Sequence, residues 1–209
     1  MLDRQGLTEE EFLKNYDPSK FDRLSVTVDV FAYNPKAQTL ILIKRGGHPF
    51  LGKWALPGGF IEKDETAEEG GARELFEETG VKVSGLKQLP VFSNPKRDPR
   101  TRIITVPFVA FSEDIQPKAG DDADMAAAFK IQGEVLEEKN GEETGRIKLS
   151  RGDEVIMYMY KKSVPADCRP CDPVFTAGVA GKIAGDHASI IACGYDYIKR
   201  ITAKRYFWD

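Results

Sequence analysis

The stretch Gly59–Val81, GFIEKDETAEEGGARELFEETGV, decides how this chain is read, because eight carboxylates fall between Glu62 and Glu78 and only Lys63 and Arg73 oppose them. Helix boundary rules fit it. Glu65 or Thr66 opens a helix with acid in the first turn, and Gly80 stands just beyond the last turn, where a left-handed residue ends a helix. Over residues 66–79, Ala72, Leu75, Phe76 and Thr79 recur at i, i+3, i+4 and i+7 as a narrow apolar stripe. Glu74, Glu77 and Glu78, at i, i+3 and i+4, converge on an adjacent face. Like charges four residues apart destabilise a helix by about 0.2–0.5 kcal/mol per pair, so Glu74 against Glu78 needs a reason beyond propensity. Arg73 offsets part of the repulsion through Glu77. A merely solvated face is better served by alternating Glu and Lys. A carboxylate cluster is instead a ligand set for hard divalent cations such as Mg²⁺ or Mn²⁺. On the helix alone the two readings stand even. Gly70 and Gly71, each costing about 1 kcal/mol relative to Ala inside a helix, are read as a place of close backbone packing.

The rest of the chain bounds the answer. At 209 residues, 41% hydrophobic, 30% charged and with net charge -3, it suits a single globular domain, residues 1–209. No basic excess advertises a nucleic-acid partner. The absence of a leader pattern and of any long apolar run predicts a cytoplasmic protein with no membrane partner. Three cysteines, Cys168, Cys171 and Cys193, do not suggest a disulfide framework. The Cys168-Arg-Pro-Cys171 pair is read as a loop with two reduced thiols rather than half a zinc site, because four ligands are needed and only Cys193 and His187 lie downstream.

Residues 1–23 form a polar lead-in in which Thr8 and Glu11 predict a capping box. LSVTVDVFAYN and TLILIKR, joined by NPKAQ, predict a β-hairpin. GGHPFLGKWALPGG, residues 46–59, is a Gly- and Pro-rich loop anchored by Phe50, Leu51 and Trp54. Further strands are predicted in VKVSGLKQLPVFSN and IITVPFVAF, an acidic turn in AGDDADMAAAF, and an inserted β-ribbon with its following loop across residues 130–183. Ile190, Ile191, Tyr195, Ile198 and Ile201 predict a helix over about 184–204.

Gly59, Glu65, Arg73, Glu74, Leu75, Glu77, Glu78, Gly80 and Val81 together spell G-x5-E-x7-R-E-U-x-E-E-x-G-U, where U is a bulky aliphatic residue. This resembles the box of the Nudix hydrolase family at every fixed position. The resemblance implies an α+β fold with a mixed β-sheet between α-helices, an α/β/α sandwich here carrying the ribbon. It also implies hydrolysis of a nucleoside diphosphate linked to another moiety. By the same resemblance Glu74, Glu77 and Glu78 hold Mg²⁺ or Mn²⁺ with help from a backbone carbonyl at Gly59 or its neighbour Gly58, Arg73 orients the carboxylates, and Glu65 fixes the loop. Metal chemistry suits the substrate, since attack on a pyrophosphate needs its charge neutralised and the attacking water activated.

SVTVDVFAYN with LILIKRGGHPFLGKWALPGGF, then RDPRTRIITVPFVAF, then AGDDADMAAAF with DHASII, narrow the resemblance to the ADP-ribose pyrophosphatase branch, which also gave rise to regulators of NAD metabolism. Those regulators carry a winged-helix domain after the DHASII-type helix, and none is expected in the short remainder of this chain. The substrate expected is therefore ADP-ribose or a similar nucleotide, with other nucleotides as the enzymatic alternative and a non-catalytic ADP-ribose sensor as the other. Arg45, Arg97, Arg100 and Arg102 are expected to contact phosphate or ribose, with Phe50 as an aromatic candidate for the base. Four cations in one loop, Lys96 included, fall short of a duplex footprint. The general base is expected either on the box helix, at Glu77 or Glu74, or in the GDDAD loop, at Asp122. A homodimer is implied by the resemblance alone.

Overall fold

The computed structural model describes residues 2–113, 126–164, 172–178 and 180–205. Its elements follow in chain order as α1 (Glu9–Asn15), β1 (Ser25–Asn34), β2 (Thr39–Lys44), β3 (Trp54–Ala55), β4 (Gly58–Phe60), α2 (Ala67–Thr79), β5 (Lys87–Gln88), β6 (Ile103–Phe111), β7 (Ala126–Lys139), β8 (Glu142–Arg151), β9 (Glu154–Ser163), β10 (Val174–Ala177) and α3 (His187–Arg205). Among the described residues the strands make one ten-stranded sheet in the order β10-β9-β8-β7-β2-β1-β6-β5, with β3 joined to β2 and β4 to β1. β1 and β6 run parallel and the remaining ladders are antiparallel, so the sheet is mixed.

Strand alternation distributes the core to two layers. Val30 and Ala32 of β1, with Ile41 of β2, meet Leu75 of α2 on one face. Phe31, Leu40 and Leu42 point the other way, toward Ile190 and Ile191 of α3. The fold is thus α+β, a sheet between helices. Residue 71 of α2 faces Leu86, Phe108 and Val30 so closely that a Cβ there would lie 3.0–3.5 Å from their side chains, which accounts for glycine inside that helix.

The ribbon is less separate than its sequence implied. Its first strand begins at Ala126, within the segment expected to start as an acidic turn, and Ala126–Lys130 pair with Ile43–Thr39 of β2. The ribbon therefore grows from the main sheet, with α3 covering one of its faces through Tyr158, Tyr160 and Ile198. Asp121, Asp122 and Asp124, and the pair Cys168 and Cys171, lie outside the described residues. Cys193 is buried, and that burial pushes its thiol up to about 12. No helix among the described residues is long and apolar enough to cross a membrane.

Candidate active site

α2 starts at a reciprocal capping box, in which Thr66 accepts the Glu69 amide and Glu69 accepts that of Thr66. It ends at Gly80, whose φ of 70° is the left-handed C-cap that a side chain disfavours. Between these caps Arg73 gathers the acids. Its Nε and Nη2 donate to Glu65 at 3.0 and 2.7 Å, its Nη1 to Glu74 at 2.8 Å and Glu77 at 3.1 Å, and its Nη2 also to the Phe60 carbonyl. The Arg73 guanidinium, helped by the Glu62 amide, holds the Glu65 carboxyl down to about 2. Arg73 is itself raised by the same carboxylates. Helix and preceding loop are thereby locked together by one planar cation.

Glu78 takes another direction, accepting the Gly58 amide at 2.9 Å. Burial pushes its carboxyl up to about 7, reinforced by the charges of Glu74 and Asp29 and opposed by the Gly58 amide and Arg45. Among the described residues no three acidic, histidine or cysteine side chains already form a cation cage. Arg73 ties Glu74 and Glu77 to its Nη1, and Glu78 turns to the Gly58 amide. The donor set nevertheless fits a hard divalent cation. Glu74 and Glu78 are crowded carboxylates, and the Glu74 carboxylate lies directly against Gly59, where a Cβ would collide with it.

β4 carries Gly58 and Gly59 beside Asp29 and Val28 of β1, and a cleft opens above them. Its lining brings the acids Glu78 and Asp29 together with Arg45, Arg97 and Arg100, and includes Phe50 and His187. Of the expected residues the cleft lining includes Gly59, Glu78, Arg45, Phe50, Arg97 and Arg100, but not Arg73, Glu74, Glu77 or Arg102. Arg102 instead donates to the Ser93 carbonyl. Arg45, another lining residue, donates its Nε to the Pro49 carbonyl at 2.7 Å. Arg100 is paired with Asp98 and stacks 5.3 Å from the Phe60 ring centre. Trp54 is core, edge-on to Phe129, with its indole N–H donated to Glu154.

Three cleft residues escaped the sequence reading as site residues. Asp29 is buried at the cleft floor, accepting the Thr105 hydroxyl at 2.6 Å. Asp186 accepts both Nε and Nη2 of Arg97, at 2.8 and 3.0 Å, so Arg97 serves as a tie between loops as much as a wall of the cleft. His187 accepts the Leu56 amide at Nδ1, 3.1 Å away, which makes Nε2 the donor of its neutral ring. The approach of the same Nδ1 to Asp29, at 3.6 Å, is then not a hydrogen bond. A signal for two of them lay in DHASII, whose first residues are Asp186 and His187.

Comparison with known proteins agrees with this architecture. The NUDIX domain model matches residues 23–148, more than half of the chain. An "ADP-ribose pyrophosphatase" of Methanocaldococcus jannaschii is 40% identical over 123 residues, which are 58% of this chain and 73% of that protein. An "ADPR responsive transcriptional repressor NtrR" of Acinetobacter baylyi is 36% identical over 107 residues, 49% of this chain but only 43% of the repressor. Among solved structures, a MutT/nudix family protein from Enterococcus faecalis superposes with a TM-score of 0.69 at 32% identity, covering 94% of this chain and 71% of that one. With the box, the sheet between two helices and the acid-lined cleft all in place, the chain belongs to the NUDIX domain family and is a pyrophosphohydrolase of that family.

Proposed function

We propose that the protein is a Mg²⁺- or Mn²⁺-dependent hydrolase that cleaves the pyrophosphate of ADP-ribose, or of a similar nucleoside diphosphate derivative, into two monophosphates. The observation that carries this reading is a single cleft lined by Glu78 and Asp29 together with Arg45, Arg97 and Arg100. A diphosphate bridge needs its charge neutralised, and the arginines would supply part of that while the carboxylates offer a place for a metal ion to supply the rest. Two relatives named for ADP-ribose or for ADPR support the choice of substrate.

Glu74, Glu77 and Glu78, with the Gly59 carbonyl, would hold the metal, which when bound neutralises phosphoryl charge and lowers the pKa of a coordinated water. Arg73 positions Glu74 and Glu77 through bonds that do not depend on substrate. Arg45 offers its terminal nitrogens to phosphoryl oxygens, and Arg100 takes up charge at the mouth. His187 presents a neutral N–H donor at the cleft, suited to a ribose hydroxyl or phosphoryl oxygen. Phe50 offers a ring face to a base or ribose, its own ring lying against Gly185. Proton removal from the attacking water is assigned to Glu77 or Glu74 on α2, or to Asp122. A homodimer in the cytoplasm completes the proposal.

The test is a panel of ADP-ribose, NADH, diadenosine polyphosphates and nucleoside triphosphates, incubated with Mg²⁺ and read as phosphate-bearing products. The expected result is AMP and ribose 5-phosphate from ADP-ribose, abolished by a chelator and restored by Mg²⁺. Faster turnover of a triphosphate would replace the substrate assignment. No turnover of any, with tight ADP-ribose binding, would establish a sensor instead.

A further inference from the structure

One residue of the ribbon reaches the loop that leads into the box. Gly152 and Asp153 alone join β8 to β9, since Arg151 pairs with Glu154, and Gly152 takes the left-handed φ of 53° that so short a turn favours. A two-residue turn leaves the register no slack. It sets Glu154 on the face of β9 that carries the buried Ile156, Tyr158 and Tyr160, where an acid breaks the apolar alternation.

Glu154 meets two donors there. Its Oε1 accepts the Trp54 indole N–H at 3.3 Å and the Lys182 Nζ at 3.1 Å, joining segments 100 and 28 residues away along the chain. Burial opposes its charge, but Lys182 and Trp54 together outweigh that and hold the carboxyl below its ordinary value. The two contacts are not equivalent. The Lys182 side chain is 59% exposed, so its ion pair is screened by water and contributes little alone. Trp54 is 4% exposed, and an indole N–H stripped of its acceptor there has little water to turn to.

Trp54 and Lys182 also seat the last segment of the cleft. The Trp54 amide donates to the Lys182 carbonyl and the Ala184 amide to the Trp54 carbonyl, each at 2.8 Å, a parallel bridge that lays residues 182–184 along β3. The next three residues all line the cleft. Gly185 lies against the Phe50 ring, Asp186 ties Arg97, and His187 accepts the Leu56 amide.

We propose that the turn of the ribbon buttresses the cleft, with Glu154 acting through Trp54 and Lys182 as a positioning residue for His187 and for the segment that carries it. The carboxylates of α2 take their bonds from Arg73 and the Gly58 amide instead. Losing Glu154 should therefore loosen substrate binding and spare the chemical step. The effect on KM rests on the hydrolase reading above, whereas the setting of the His187 ring does not.

Glu154→Ala in the full chain tests the role with two readouts. The chain holds two histidines, His48 and His187, so a His48→Gln variant assigns the ring-nitrogen NMR signals of His187. Above the ordinary histidine range the wild type should show Nδ1 unprotonated and Nε2 protonated. In Glu154→Ala those signals should move toward the mixed tautomers of a free imidazole, and KM for the nucleotide turned over should rise about tenfold with kcat within about twofold. Glu154→Gln still offers the indole an acceptor and should return both readouts most of the way to the wild type. A Gln variant as disturbed as the Ala variant overturns the link through Trp54. His187 signals that stay in place in Glu154→Ala overturn the proposal whatever KM does. Signals that move while KM holds uphold the positioning and remove His187 from the contacts to substrate. Should no nucleotide be turned over, the hydrolase reading falls, and the ring signals still decide the role of Glu154. If Glu154→Ala fails to fold, Lys182→Met breaks the exposed half of the link and should shift the same signals less, with KM up about threefold. Unmoved signals in that variant overturn the proposal equally.

Discussion

Two arginines organise acids in this molecule, and they differ in how far along the chain they reach. Arg73 draws every partner from its own loop and helix, Phe60, Glu65, Glu74 and Glu77. Arg97 bonds Asp186, 89 residues away, and faces Asp29 at 3.8 Å. The first cluster is partly open to water, with the Arg73 side chain 24% and Glu77 56% exposed, while the Arg97 side chain is only 6% exposed. Local clusters of this kind can be read from spacing alone and are free to relax when perturbed. Clusters that join distant segments are invisible in the sequence and hold the molecule's shape.

Substituting both arginines would break or sharpen that contrast most. Arg97→Ala leaves the buried Asp29 and the partly exposed Asp186 without their cation and should cost about 3 kcal/mol in chemical denaturation. Arg73→Ala should cost about 1 kcal/mol or less, since its partners can turn to solvent. Equal losses in the two variants would erase the distinction. Glu78→Gln tests whether the local cluster is catalytic rather than structural. The amide can still accept the Gly58 N–H, so stability should hold while turnover falls about a hundredfold or more, near 2.7 kcal/mol of activation free energy. Glu77→Gln should lose a similar amount, and near-normal rates in both would refute the metal assignment. Arg73→Lys keeps the charge but loses the fork, and should lower kcat about tenfold with KM little changed. Thr66→Ala removes the N-cap of α2 and should lower the unfolding free energy by about 1 kcal/mol.

The smallest expected effect is that of pH on Glu65. Its carboxyl is held at about 2 against an ordinary 4.5, so the folded state favours the ionised form. Its contribution is therefore complete above pH 4.5 and disappears as pH falls toward 2. Comparing wild type with Glu65→Gln across that range should show the two stabilities converging at the acid end. A constant gap would mean that Arg73 does not set this carboxyl.

The same division explains what the sequence made legible. The limits of α2, its caps and the grouping of Glu74 with Glu77 through Arg73 follow from spacings of eight residues or fewer, where helix geometry leaves little choice. The hairpin of β1 and β2 and the strands of the ribbon were visible for the same reason, as alternation over short runs. Asp29 was hidden in an apolar strand, where a lone acid gives no periodic signal. Asp186 and His187 were quoted as part of a motif, but nothing local says that a helix start will stand beside β3 and β4. Arg97 and Arg102 look alike in the basic loop, and only tertiary context points one inward to Asp186 and the other to the Ser93 carbonyl. The early start of β7 was masked by AAAF, which has weak strand propensity and pairs because β2 offers an open edge.

The segment just before α3 lies against the loop leading into the box. Trp54 donates its amide to Lys182, Ala184 donates to Trp54, and His187 receives the Leu56 amide. In a chain made from its N-terminus, the carboxylates of α2 are complete long before residues 182–187 exist. Arg45 and Glu78 can then be in place while Gly185, Asp186 and His187 of the cleft lining are still unsynthesised. The nascent protein would hold its charged residues early and gain a shaped site only when this late segment docks, so that hydrolytic competence marks the end of folding rather than its beginning.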